Sequence, residues 1–182
     1  MNLQELRLDG TARQKKGLHF ILASIFIWAA ILAVHLTSLP VLTKKLLTFC
    51  FTAPLLPLAY LFSRFLRIEF STKDNTLSGL GILFSLNQLL YLLIAMWVYP
   101  TVPEKLVMVL AMIFGAHLLP FGWLYLSRSY TAFAVIIPLG ALLVGLIFPP
   151  FAVAGLMVVI EIVFSLLLAV EVRSQRVRPT AA

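Results

Sequence analysis

Four strongly polar side chains stand inside otherwise apolar runs, and together they could handle a proton. Glu161 interrupts GLMVVIEIVFSLLLAV, and His117 interrupts MIFGAHLLPFG. Asn87 and Gln88 stand side by side in ILFSLNQLLYLL. A carboxyl and an imidazole that share one dry site can hold or release a proton near neutral pH. Amides beside them add hydrogen bonds without charge. Each residue also has a plainer role. Amides tie apolar helices together, and a lone histidine can serve a backbone carbonyl. Glu161 resists that explanation most, because an ionised carboxylate away from water is costly unless paired. Tyr91 lies one helical turn beyond Asn87, and Ser165 one turn beyond Glu161. Both could extend a polar lining, and ordinary packing explains them equally simply.

The elements that carry these residues follow from composition. Of 182 residues, 62% are hydrophobic and 12% charged. A soluble domain has roughly 25% charged residues. Mean hydropathy is +1.03. Lipid is therefore the expected solvent, and the expected fold is all-α, a polytopic bundle of six transmembrane helices in a single membrane domain. The spans fall at about 18–38, 45–63, 79–99, 106–126, 130–148 and 151–172. The run after RQKKG is longer than a signal-peptide core and lacks a small-residue cleavage site, so it reads as a retained helix. Pro149 and Pro150 in FPPF separate the last two spans. The stretch SRFLRIEFSTKDNTLS, from Ser63, has room for a short interfacial helix.

The net charge of +7 sits in short segments between the apolar runs. It therefore speaks for orientation in a membrane and not for nucleic acid. Arg7, Arg13, Lys15, Lys16, Arg64, Arg67, Lys73, Arg128, Arg173, Arg176 and Arg178 fall on one side. The other side keeps Lys44, Lys45 and Lys105. Positive residues favour the cytoplasm, so both termini are expected there. Trp97 and Tyr99 mark the outer boundary, and Trp123, Tyr125 and Tyr130 the inner one. Trp28 falls near mid-membrane and should pack between helices. His19 and His35, at the two ends of the first span, should be solvated. Glu171 beside Arg173 reads as an interfacial charge, and Cys50 as a small buried thiol.

Two stretches resemble each other. FTAPLLPLAYLF-SR from Phe51 aligns with FGAHLLPFGWLYLSR from Phe114, and Pro54 then pairs with His117. The first four helices could thus be tandem copies of one hairpin. Pro57 and Pro120 each free a carbonyl, of Ala53 and Ala116. His117 stands next to the second of these.

Other chemistry finds no support. The histidines fall on two helices at different depths, without H-E-x-x-H or paired-cysteine spacing, so no metal is expected. No G-x-S-x-G, phosphate loop or dinucleotide fingerprint occurs, and no cofactor is implied. GLGILF lies inside a span, where its glycines should permit close helix packing.

The stretches LNQLLYLLIAMW and VPEKLVMVLAMIFGAHLLPFGWLYLSRSY resemble a family of small bacterial six-helix membrane proteins known only as a domain of unknown function. The resemblance implies a bacterial inner-membrane location and supplies no activity. The leading expectation is a small transporter or channel-like permease for an ion or small solute. Its substrate- or proton-binding layer would be Glu161, His117, Asn87 and Gln88. An intramembrane enzyme acting on a lipid-like substrate, with Glu161 and His117 as acid and base, is a rival and less favoured. A non-catalytic membrane subunit is another. The expected partners are the bilayer and a small solute or ion, with room for a homo-oligomer.

Overall fold

Pro54 and Pro57 decide the most visible departure from six straight spans. The computed structural model describes residues 2–70 and 74–177. Its helices are α1 Leu3–Arg13, α2 Leu18–His35, α3 Val41–Thr52, α4 Leu55–Phe65, α5 Ser78–Thr101, α6 Leu106–His117, α7 Leu119–Leu124, α8 Arg128–Ile147 and α9 Pro150–Val177. No strand occurs among the described residues. The second expected span is not continuous: α3 and α4 meet at a 45° bend around Ala53–Pro54. Neither proline can donate a backbone hydrogen bond, so the ladder fails there. Five helical stretches are long and apolar enough to cross a membrane, or six if the bent pair counts as one. The protein is thus an all-α polytopic chain.

The fourth span is also interrupted, at Leu118, just before Pro120. The two breaks are offset in the repeated stretches: Ala53–Pro54 align with Ala116–His117, whereas the second break is at Leu118. The FPPF turn occurs where expected, with α8 ending at Ile147 and α9 starting at Pro150. Between α4 and α5, residues 66–70 and 74–77 form turns, a bend and irregular backbone and no helix; residues 71–73 of the stretch expected to hold an interfacial helix lie outside the described residues.

The core is built from α2, α6, α8 and α9. Helix α2 runs along α9, α6 along α8, and α8 against α9. Ile31, Leu106, Ile137, Met157 and Phe164 are fully enclosed among them. Trp28 is buried, edge-on to Phe114 at 6.3 Å. Close approach of α6 and α8 depends on glycine. A Cβ on Gly115 would come within 2.5 Å of Pro138 Cδ, and one on Gly145 within 2.5 Å of Met108 Cγ. The glycines of GLGILF do not serve this purpose: Gly79 faces open space, and Gly81 has ordinary clearance from Tyr125. Helix α4 packs on α2, whereas α5 leans on α6 and α7. Leu83, Leu86, Leu90, Leu93 and Trp97 of α5 are exposed, as are Leu139 and Leu143 of α8 and Leu166 and Val170 of α9. Apolar faces of this extent suit lipid, not water.

One end of the bundle is closed by α1. A reciprocal capping box starts that helix: Glu5 N donates to Asn2 Oδ1, and Asn2 N to Glu5 Oε2, each at 2.9 Å. Lys15, Lys16 and Gly17 then take positive φ in succession, turning the chain into α2. Lys16, itself buried, also pairs with the partly buried Glu171 at 2.8 Å. Asn75 Nδ2 bonds Leu6 O and Asp9 Oδ2, and Tyr125 Oη bonds Gln14 Oε1.

Three minor expectations are corrected. His19 is 1% exposed, enclosed by Phe20 and Phe70, so it is not solvated. His35 is also buried, with Nε2 2.9 Å from Thr48 Oγ1. Its position beside the α3 hydroxyl, absent from any local pattern, takes it out of water. Cys50 is exposed on α3, not buried.

Candidate functional site

The bend between α3 and α4 and the outward lean of α5 leave a gap that side chains do not fill. It encloses about 740 Å³ of empty space, counted to its open mouth. Ser24, Trp28 and Ile31 of α2 form one wall, and Thr52, Leu55 and Leu56 the bend side. Ser85, Gln88 and Leu92 of α5 and Leu110 and Phe114 of α6 complete it. A second space of about 380 Å³ shares Leu55, Ser85, Gln88 and Phe114 with the first. It adds His117, Phe121, Tyr125 and Tyr130. Carbon and aromatic rings dominate both spaces, and no lining residue is charged.

The polar groups on these walls differ in what they have left to offer. Ser85 Oγ donates to Gly81 O at 2.9 Å, and Thr52 Oγ1 to Phe49 O at 2.7 Å. Their hydroxyl protons are committed to their own helices. His117 Nδ1 donates to Phe114 O at 2.5 Å. This carbonyl is free because Leu118 N, at the helix break, bonds Gly115 O instead. The partner of His117 is thus Phe114, not Ala116. With its proton on Nδ1, the neutral ring keeps Nε2 as an acceptor. Gln88 makes no side-chain hydrogen bond among the described residues, so its amide can both donate and accept.

The four residues singled out in the sequence are only partly brought together. Gln88 and His117 line one space. Glu161 lies behind α2, fully buried, with Oε2 2.5 Å from Ser24 Oγ; the same hydroxyl lies 2.7 Å from Ile21 O, so its one proton serves either the carboxyl or its own helix. Glu161 Oε1 has no hydrogen-bond partner among the described residues. It thus reaches the larger cavity only through Ser24. Asn87 is exposed on the outer face of α5, where its Nδ2 donates to Tyr91 Oη at 3.0 Å. Adjacent helical residues point about 100° apart, so Asn87 and Gln88 do not share one interior face. Ser165 is buried with an unbonded Oγ.

Two polar centres escaped the sequence. Ser24 is one, a single small hydroxyl with no distinguishing neighbours. Glu171 is the other, and it is far more than an interfacial charge. Its carboxylate accepts from Lys16 Nζ at 2.8 Å, Ser127 Oγ at 2.7 Å, Ser129 N at 3.0 Å and Ser129 Oγ at 2.6 Å. This ties the α1–α2 turn to the start of α8 and the end of α9. No group of three metal-ligating side chains occurs among the described residues.

Residues 3–171 match a family model described as a family of unknown function (DUF7010). The chain belongs to DUF7010. No curated protein matches it, and no solved structure does. The matched stretch of this DUF7010 protein contains Ser24, Gln88, His117, Glu161 and Glu171, so both polar centres lie within the family's extent.

Proposed function

We propose that this DUF7010 protein is a small membrane permease for a neutral, mainly apolar solute with one hydrogen-bonding head. The observation that carries the reading is the 740 Å³ cavity, uncharged in its lining, with the unbonded Gln88 amide on its wall. A pocket that is mostly apolar with few polar groups suits such a ligand. Gln88 and His117 Nε2 hold the head, and Trp28 and Phe114 take the apolar body. Entry is sideways from lipid, because α4 and α5 pack on different neighbours and the cavity lies between them. Glu161 acts on this wall through Ser24, where a proton relay would run; Asn87 takes no part. An uncharged lining speaks against an ion as cargo. The acid–base enzyme is less well supported, because Glu161 bonds Ser24 and His117 bonds Phe114 O. The basic-residue asymmetry supports a reading with both termini on the cytoplasmic side, and the sequence resemblance supports a bacterial inner membrane.

Trp28 reports on the cavity directly. In liposomes, the Trp97→Phe/Trp123→Phe variant leaves Trp28 as the one tryptophan. Added 11-bromoundecanol should quench it saturably, and Gln88→Leu should weaken that binding about fivefold or more, the loss of one hydrogen bond. Aqueous iodide should quench little. The reverse pattern, iodide quenching without effect of the alcohol, would sink lateral entry. Movement is read with NBD-labelled monoacylglycerol in the inner leaflet. The protein should speed its reduction by external dithionite, and Gln88→Leu should slow it. Binding without faster movement would leave a non-catalytic subunit in place of a permease.

A further inference from the structure

Arg7 and Arg128 face the same hollow at the α1 end of the bundle, and neither is paired with a carboxylate among the described residues. The hollow is wide and shallow, about 780 Å³ including its mouth, and Thr131 adds a hydroxyl to its wall; Ser127 also lines it, but its hydroxyl is given to Glu171. It lies between the end of one apolar stretch, at Leu124, and the start of the next, at Arg128. That is the depth of lipid head groups in any bilayer these stretches cross. We propose that this hollow binds the phosphate of an anionic phospholipid head group.

Arg7 is held ready for such a ligand. Its Cζ sits 4.3 Å from the centre of the Trp123 ring. Its Nε donates to Trp123 O at 3.0 Å, and Nη2 bonds the same carbonyl. Its Nη1 lies 3.5 Å from Gln4 Oε1, and since a guanidinium has five N–H donors, two remain for a phosphate. Arg128 is exposed, and its side chain makes no hydrogen bond or ion pair among the described residues. It occupies the first position of a 20-residue helix. A cation there opposes the helix dipole, and a bound anion would offset this. The nearby carboxylates are already engaged. Glu171 is bonded to Lys16, Ser127 and Ser129, and Asp9 pairs with Arg13 at 2.8 Å. Thr131 Oγ1 touches its own helix only weakly, at 3.3 Å from Ser127 O. It can turn toward a ligand. Basic pockets at the ends of membrane helices recognise phospholipid head groups in this way. A free phosphate offers the same chemistry, but the flanking apolar stretches supply a place for acyl chains as well.

The test compares lipids on the intact, detergent-purified protein by native mass spectrometry and by melting temperature. Phosphatidylglycerol should bind and raise the melting temperature; phosphatidylcholine with the same acyl chains should do neither to a comparable degree. Arg128→Gln should weaken phosphatidylglycerol binding about fivefold, the effect of one basic residue near an anionic surface. Arg173→Gln makes the same charge change on an exposed residue outside the hollow, and it should leave binding unchanged. Melting without lipid checks that both variants fold. Equal binding of the two lipids, or equal losses in the two variants, would overturn the site. Inorganic phosphate that stabilises the protein through Arg128 while phosphatidylglycerol does not would replace the lipid with a soluble ligand.

Discussion

Glu161 on α9 and Ser24 on α2 meet across the centre of the helix pair, with 2.5 Å between carboxyl oxygen and hydroxyl. This contact joins the one fully buried carboxyl of α9 to the wall of the cavity. Ser24→Ala should leave both carboxyl oxygens unbonded and cost about 1–2 kcal/mol. Glu161→Gln should fold like the parent, because an amide can keep the contact. In the Glu161→Leu background, Ser24→Ala should cost almost nothing. Unfolding in mixed micelles with increasing SDS measures all four; additive losses would show that the two residues do not support each other.

Gly115 should tolerate no side chain. Its Cβ would lie 2.5 Å from Pro138 Cδ and 2.7 Å from Ile137 Cβ, both on a packed helix. Gly115→Ala is expected to destabilise by about 1–3 kcal/mol. Gly79→Ala, facing open space, should be neutral or up to about 1 kcal/mol stabilising through helix propensity. Melting temperatures of the pair in one detergent decide the matter, and equal losses would mean that α6 and α8 do not approach as described.

The carboxylate of Glu171 should be coupled to Lys16. The lysine is 3% exposed, so removing its partner strands a buried ammonium. In a double-mutant cycle, Lys16→Met and Glu171→Gln should give a coupling of about 1–3 kcal/mol. A coupling near zero would assign the anchoring to Ser127 and Ser129 instead. Protease sensitivity of the α1–α2 turn should rise in Glu171→Gln.

Topology can be read with reporters. A fusion at Ala182 should be active on the cytoplasmic side, and an insertion at Leu39, in the exposed turn after α2, on the opposite one. Labelling of both on one side would mean that the described helices cross the membrane an even number of times between those points.

The sequence alone determined the apolar helices. Apolar runs long enough for lipid and prolines that cannot donate are local properties. They set where those helices run and the FPPF turn; the breaks at α3–α4 and α6–α7 fell inside spans expected to be continuous, and α1, which has no apolar run, was not expected. Family membership was also legible, in the stretches around Asn87 and His117. Facing was not. A helix with a polar side announces which face goes inward, but α2 and α9 are apolar all round, so no periodicity selects a face. Only packing decided that Ser24 meets Glu161, that Gln88 turns inward while Asn87 turns out, and that Glu171 gathers Lys16 and two serines. Residues 137 positions apart in the case of Ser24 and Glu161 come together because α2 and α9 pack along their lengths. A contact of that kind depends on the shapes of both surfaces, and neither segment carries it by itself.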